Sequence, residues 1–169
     1  MSGVPQDLER RAVEVDGWLE LRCADKALER MQPLLERPDA RPAGLALRIR
    51  AYVATKEHRL AIDDLNELRT TGYEPDWLDL TEAWCRKRLP DLAGAIRCME
   101  QLLERSPQSA IGHFNLGCYA AIDGDRERAL DEVTLACGLD PSFREMLMEE
   151  PDLDSLHRDP RFKQLLVAR

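Results

Sequence analysis

Apolar positions recur along this chain with one spacing. From Ala27 they fall at Leu28, Met31 and Leu34, and from Ala61 at Ile62, Leu65 and Leu68. From Ala95 they fall at Ile96, Met99 and Leu102, and from Ala129 at Leu130, Val133 and Ala136. Steps of four and then three residues keep side chains on one face of an α-helix. The four alanines are themselves 34 residues apart. One helix is therefore expected four times at a fixed period, with a small residue where a neighbouring helix comes closest.

The intervening stretches predict a partner helix before each of these. The pairs read as 8–21 with 25–36, 43–56 with 58–70, 77–88 with 91–105, and 111–123 with 126–138. Gly17 inside the first helix costs about 1 kcal/mol relative to alanine. Pro33 removes a backbone donor and crowds the carbonyl of Glu29, so a kink or early end is expected there. Breaks at 37–42, at Gly72 with Pro75 and at Pro107 separate the pairs, while Pro90 and Gly124 with Asp125 turn the chain between the two helices of a pair. The tail, 142–169, leaves the period. It reads as a helical turn over 143–149, a bend over 151–156, and a short helix capped by Asp159 with Pro160 at its first position, where a missing N–H costs nothing. Residues 1–7 are polar and read as a flexible terminus. No stretch reads as a strand.

Composition narrows the function classes. The chain has 169 residues, 44% hydrophobic and 33% charged, which suits one helix-rich domain with a charged surface. A net charge of −8 lacks the basic footprint of a nucleic-acid binder. No apolar run approaches the roughly 20 residues that span a bilayer, and no secretory h-region stands at the N-terminus. The expectation is a cytoplasmic protein with no nucleic-acid or membrane partner. The five cysteines are odd in number and none forms a C-x-x-C pair. They read as reduced, buried, small apolar residues.

The segment 110–143, AIGHFNLGCYAAIDGDRERALDEVTLACGLDPSF, resembles a tetratricopeptide repeat closely. Leu116–Gly117, the Gly124–Asp125 turn, Ala129, Ala136 and Asp140–Pro141 match that family's pattern. The register then divides the chain into repeats 8–41, 42–75, 76–109 and 110–143. The earlier three are degenerate. Arg48, Asp79, Glu82 and Arg86 stand where apolar or aromatic residues are usual. The tail PDLDSLHRDPRFKQLL resembles the segment that closes many bacterial arrays, through Asp152, Leu153, Leu156, Asp159, Pro160, Phe162 and Leu165. Stacked repeats need such a cap, because the last one exposes an apolar face. The resemblance implies an all-α, right-handed α-α superhelix of four helix pairs plus a C-terminal capping helix.

No catalytic constellation is visible. His58, His113 and His157 lie on separate elements without metal-ligand spacing, and Gly124–Asp125 lacks the lysine and spacing of a phosphate loop. The pairs Asp63–Asp64 and Glu149–Glu150 read as solvated helix faces or starts. No enzyme activity, cofactor or metal is expected.

The resemblance implies instead a concave surface lined by the first helix of each repeat. Those first helices depart most from the family pattern, most densely in 76–109, so specificity is expected to reside there. Arg50, Trp77, Leu80, Trp84, Lys87, Arg88, Phe114 and Asn115 fall at lining positions, with Trp77 and Trp84 reading either as groove anchors or as residues that pack one repeat on the next. Aromatic anchors with basic neighbours suit a peptide or partner helix bearing apolar and acidic residues. The family's carboxylate clamp for heat-shock chaperone tails is absent, since only Asn115 of its set matches. The expected function is a non-catalytic protein–protein interaction scaffold. Alternatives are a small chaperone for a secreted protein, a regulatory subunit of an enzyme complex, or self-association through an exposed edge.

Overall fold

The computed structural model describes residues 6–73 and 75–167. Helix is the regular structure throughout these residues. Most of the flexible terminus expected over 1–7 falls outside them; Gln6 and Asp7 are already helical. The chain divides into two compact units, with the division after Leu78.

The N-terminal unit contains α1 (Gln6–Glu20), α2 (Ala24–Arg30), α3 (Gln32–Leu35), α4 (Arg41–Thr55), α5 (His58–Arg69) and the first residues of α6 (Asp76–Arg88). The helix expected over 25–36 breaks at Met31, and Pro33 sits in the first turn of α3. There its missing N–H leaves no helical bond unmade. Val15, Ala27, Met31, Leu34, Leu45, Ile49, Leu65, Leu68 and Leu78 form the core. The unusual Arg48 is explained within it. Arg48 donates from Nε and Nη2 to the two carboxylate oxygens of Asp64, at 2.6 and 2.7 Å, tying α4 to α5. Asp64 is buried, and a bidentate guanidinium is the partner that makes a buried carboxylate tolerable.

The C-terminal unit holds the rest of α6, then α7 (Leu92–Arg105), α8 (Ala110–Asp123), α9 (Arg126–Leu139) and α10 (Phe143–Met146). A 3-10 turn (Pro151–Leu156) and α11 (Pro160–Val167) complete it. Asp91, Ser109 and Asp125 cap α7, α8 and α9, each side chain accepting from a backbone N–H three residues on. Gly124, at φ 90°, ends α8 in the left-handed region that favours glycine. The helices α8 and α9 approach closely at Gly117. A β-carbon there would stand 2.7 Å from Val133 Cγ1 and 3.1 Å from the Ala129 carbonyl oxygen. Ala95 and Ala129, like Ala27 and Ala61, are fully buried.

The tail completes this core. Leu147, Leu153, Leu156 and Phe162 are fully buried in it, and Leu165 packs against it partly exposed. Each full burial of such a side chain contributes about 1.5–3 kcal/mol. The departures in the first helix of 76–109 serve the unit's interior. Asp79 pairs with Arg105, Glu82 with Arg86 at 2.7 Å, and Arg86 with Asp91. Their polar character fastens α6 to α7 and to the turn before it.

Candidate functional site

Three residues in the last turns of α6 face a cleft of about 180 Å³ in the C-terminal unit: Trp84, Lys87 and Arg88. Spacings of three and four residues place them along one side of the helix. From α8 come Asn115, Cys118 and Tyr119, and from the start of the 3-10 turn Glu150 and Asp152. Trp84 and Cys118 are 34 residues apart, so they are register equivalents in successive repeats.

The guanidinium of Arg88 lies 3.4 Å from the centre of the Trp84 ring. Such a stack is worth about 0.5–1 kcal/mol at an exposed site. It holds a cation over an aromatic face, with the guanidinium edge presenting N–H donors. Lys87 forms an ion pair with Asp152, and its ammonium sits 5.9 Å from the centre of the Tyr119 ring. Glu150 accepts from the backbone N–H of Asp152 at 3.3 Å, capping the 3-10 turn. Burial pushes the Tyr119 hydroxyl well above its ordinary range. Burial, and then the charges of Glu150 and Asp152, do the same for the Cys118 thiol. A thiol so held stays protonated and is a poor nucleophile. Cys118 Sγ and oxygens of Glu150 and Asp152 lie within 4.8 Å of one another, one soft and two hard ligand atoms. Lys87 already supplies the positive charge that faces Asp152.

Trp84, Lys87, Arg88 and Asn115 are thus brought together, and the other residues singled out by the sequence are not. Phe114 is buried and packs against Phe143 with ring centres 4.8 Å apart, so it belongs to the core and not to a lining. Its helix turns that position inward toward the tail, which the repeat register does not represent. Leu80 is half-buried against the same core. Arg50 lies in the N-terminal unit, paired with Asp16 and, at 2.8 Å, with Glu20. Trp77 packs on the N-terminal core, with its indole N–H 3.5 Å from the Tyr73 hydroxyl.

Tyr119, Glu150 and Asp152 were not legible as site residues. Asp152 carried a signal as part of the closing motif, but its partner lies 65 residues away. His113 meets Glu132 at 2.6 Å and the Pro107 carbonyl at 3.1 Å, and His157 packs on Phe162 at 5.4 Å between ring centres. No helix among the described residues is long and apolar enough to cross a membrane.

No model of a known protein family matches the sequence, and no curated protein does. Solved structures do match the fold. YrrB, described as a TPR protein with an unusual peptide-binding site, superposes with a TM-score of 0.70 at 14% identity, over 92% of this chain and 80% of its own. An RS-1 MamA double mutant gives 0.73 at 13% identity, covering 95% of each chain. A MamA fragment from Desulfovibrio magneticus RS-1 gives 0.72 at 14% identity, over 96% of this chain and 94% of its own. The fold is that of tetratricopeptide repeat solenoids.

Proposed function

We propose that this protein is a non-catalytic protein–protein interaction module that receives a peptide or partner helix at the Trp84–Lys87–Arg88 face of its C-terminal unit. The observation that carries this reading is the convergence of Trp84, Lys87, Arg88 and Asn115 on one cleft. An indole and a stacked guanidinium are among the side chains that most often anchor interfaces, and Asn115 places an amide beside them. The description of YrrB as a peptide-binding protein of this fold agrees with it. The ligand chemistry that suits the face is an apolar residue against Trp84 and a carboxylate against Arg88. Five cysteines without a disulfide suit a reducing compartment such as the cytoplasm.

The test is affinity capture from the native host with the wild-type chain and Trp84→Ala. Trp84 is half-buried at the cleft, so its removal should spare the fold. Loss of about 2 kcal/mol of binding, roughly thirtyfold, is expected for a central aromatic anchor. Helical circular dichroism should be unchanged. Equal recovery of partners by both chains would refute the assignment.

A further inference from the structure

The two cations of the cleft are in different states. Among the described residues Arg88 forms no ion pair; it stacks on Trp84 and reaches only that residue's carbonyl, at 3.4 Å. Lys87 is held by Asp152, across 65 residues of sequence, with both side chains largely covered. Asp152 is delivered there by a built segment. Pro151 opens the 3-10 turn, Glu150 caps it, and Leu153 and Leu156 within it, both fully buried, anchor it.

Resting on the peptide-site reading above, we propose that residues 150–152 are an internal acidic ligand of this face, and that an external acidic peptide binds by displacing Asp152 from Lys87. The exchange is carboxylate for carboxylate. Arg88 offers the first contact, because no carboxylate among the described residues holds it. Lys87 offers the second only after Asp152 yields. A tethered group competes at an effective concentration of order millimolar, so weak acidic ligands are refused and only those that engage both cations succeed. Leu153 and Leu156 keep the tail in place during the exchange, because the competition concerns a side chain and not the cap.

The probe is fluorescein-labelled hexaglutamate, followed by anisotropy at low ionic strength on the full chain. Asp152→Asn keeps the shape of the side chain and removes its charge. It should bind the probe about tenfold more tightly than wild type, which corresponds to about 1.4 kcal/mol. Adding Lys87→Gln should cancel the gain. A folded Asp152→Asn chain that binds no more tightly would overturn the proposal and leave the pair a simple staple. Nuclear magnetic resonance on the unaltered chain gives a second reading that does not depend on a variant. Saturating hexaglutamate should shift the amide resonances of Asp152 and Leu153 together with that of Arg88, and a shift at Arg88 alone would overturn the displacement. Binding that depends on Trp84 and Lys87 yet gains nothing from Asp152→Asn would sink only this inference. Binding indifferent to both would sink the peptide site as well.

Discussion

Replacing Gly117 by alanine measures how much the α8–α9 approach depends on the absence of one methyl group. The added carbon would stand 2.7 Å from Val133 Cγ1, 3.1 Å from the Ala129 carbonyl oxygen and 3.2 Å from the Val133 backbone nitrogen. The first neighbour is a stiff β-branched side chain. The other two are backbone, so relief requires the helices to separate. Overpacking of this kind costs about 1–3 kcal/mol. Alanine returns about 1 kcal/mol of helix propensity. The expected net loss is about 1 kcal/mol, a fall in Tm of about 2–4 °C for a chain of this size. Gly17→Ala is the control. It lies inside α1 with nothing within 4 Å of the added carbon, so only propensity applies, and a gain of about 0.5–1 kcal/mol is expected. Far-ultraviolet circular dichroism during thermal and urea unfolding reads both variants. A Gly117→Ala chain as stable as the native one would refute the close-packing account.

Asp64→Asn leaves the partly covered Arg48 guanidinium without its bidentate partner and should cost about 1–3 kcal/mol in urea unfolding; recovery in Arg48→Met/Asp64→Leu would show that the cost is charge burial, and a neutral single variant would show that the pair is idle. Arg86, and then the Gly94 backbone N–H, hold the Asp91 carboxyl below its ordinary value. Its stabilising effect is therefore complete above the unfolded carboxyl pKa of about 3.9 and is lost as pH falls through the lower folded value. Asp91→Asn should flatten the acid limb of a stability–pH profile, and identical slopes would exclude the linkage. Alkylation by iodoacetamide under native conditions should modify Cys23 first, because the other four cysteines are buried. Burial pushes the Cys85 thiol up to about 11 and raises Cys118 and Cys137 too; mass spectrometry showing Cys85 or Cys118 labelled as fast as Cys23 would contradict this.

Much of the helix pattern was legible because helical periodicity is local. Ala27, Ala61, Ala95 and Ala129 announce a buried face within seven residues of themselves, and all four are fully buried. Pro33 and Gly124 act on their own backbone, so the broken α2–α3 helix and the turn after α8 follow from composition nearby. Half of the candidate site was legible for a related reason. Trp84, Lys87, Arg88 and Asn115 occupy register positions, and register is a property of the repeat.

What the register cannot express is contact with something outside the repeat. Phe114 turns inward because Phe143, from the tail, is there to receive it. Asp79, Glu82 and Arg86 looked like the seat of specificity, yet they close ion pairs inside their own unit. Asp152 looked like part of a cap, yet its carboxylate lies on Lys87. The helices, their period and the small residues between them can thus be read along the chain, because all are set by neighbours a few positions away. Which charges pair emerges from the packed helices, because an ion pair depends on distance in space and leaves no periodic trace along the chain.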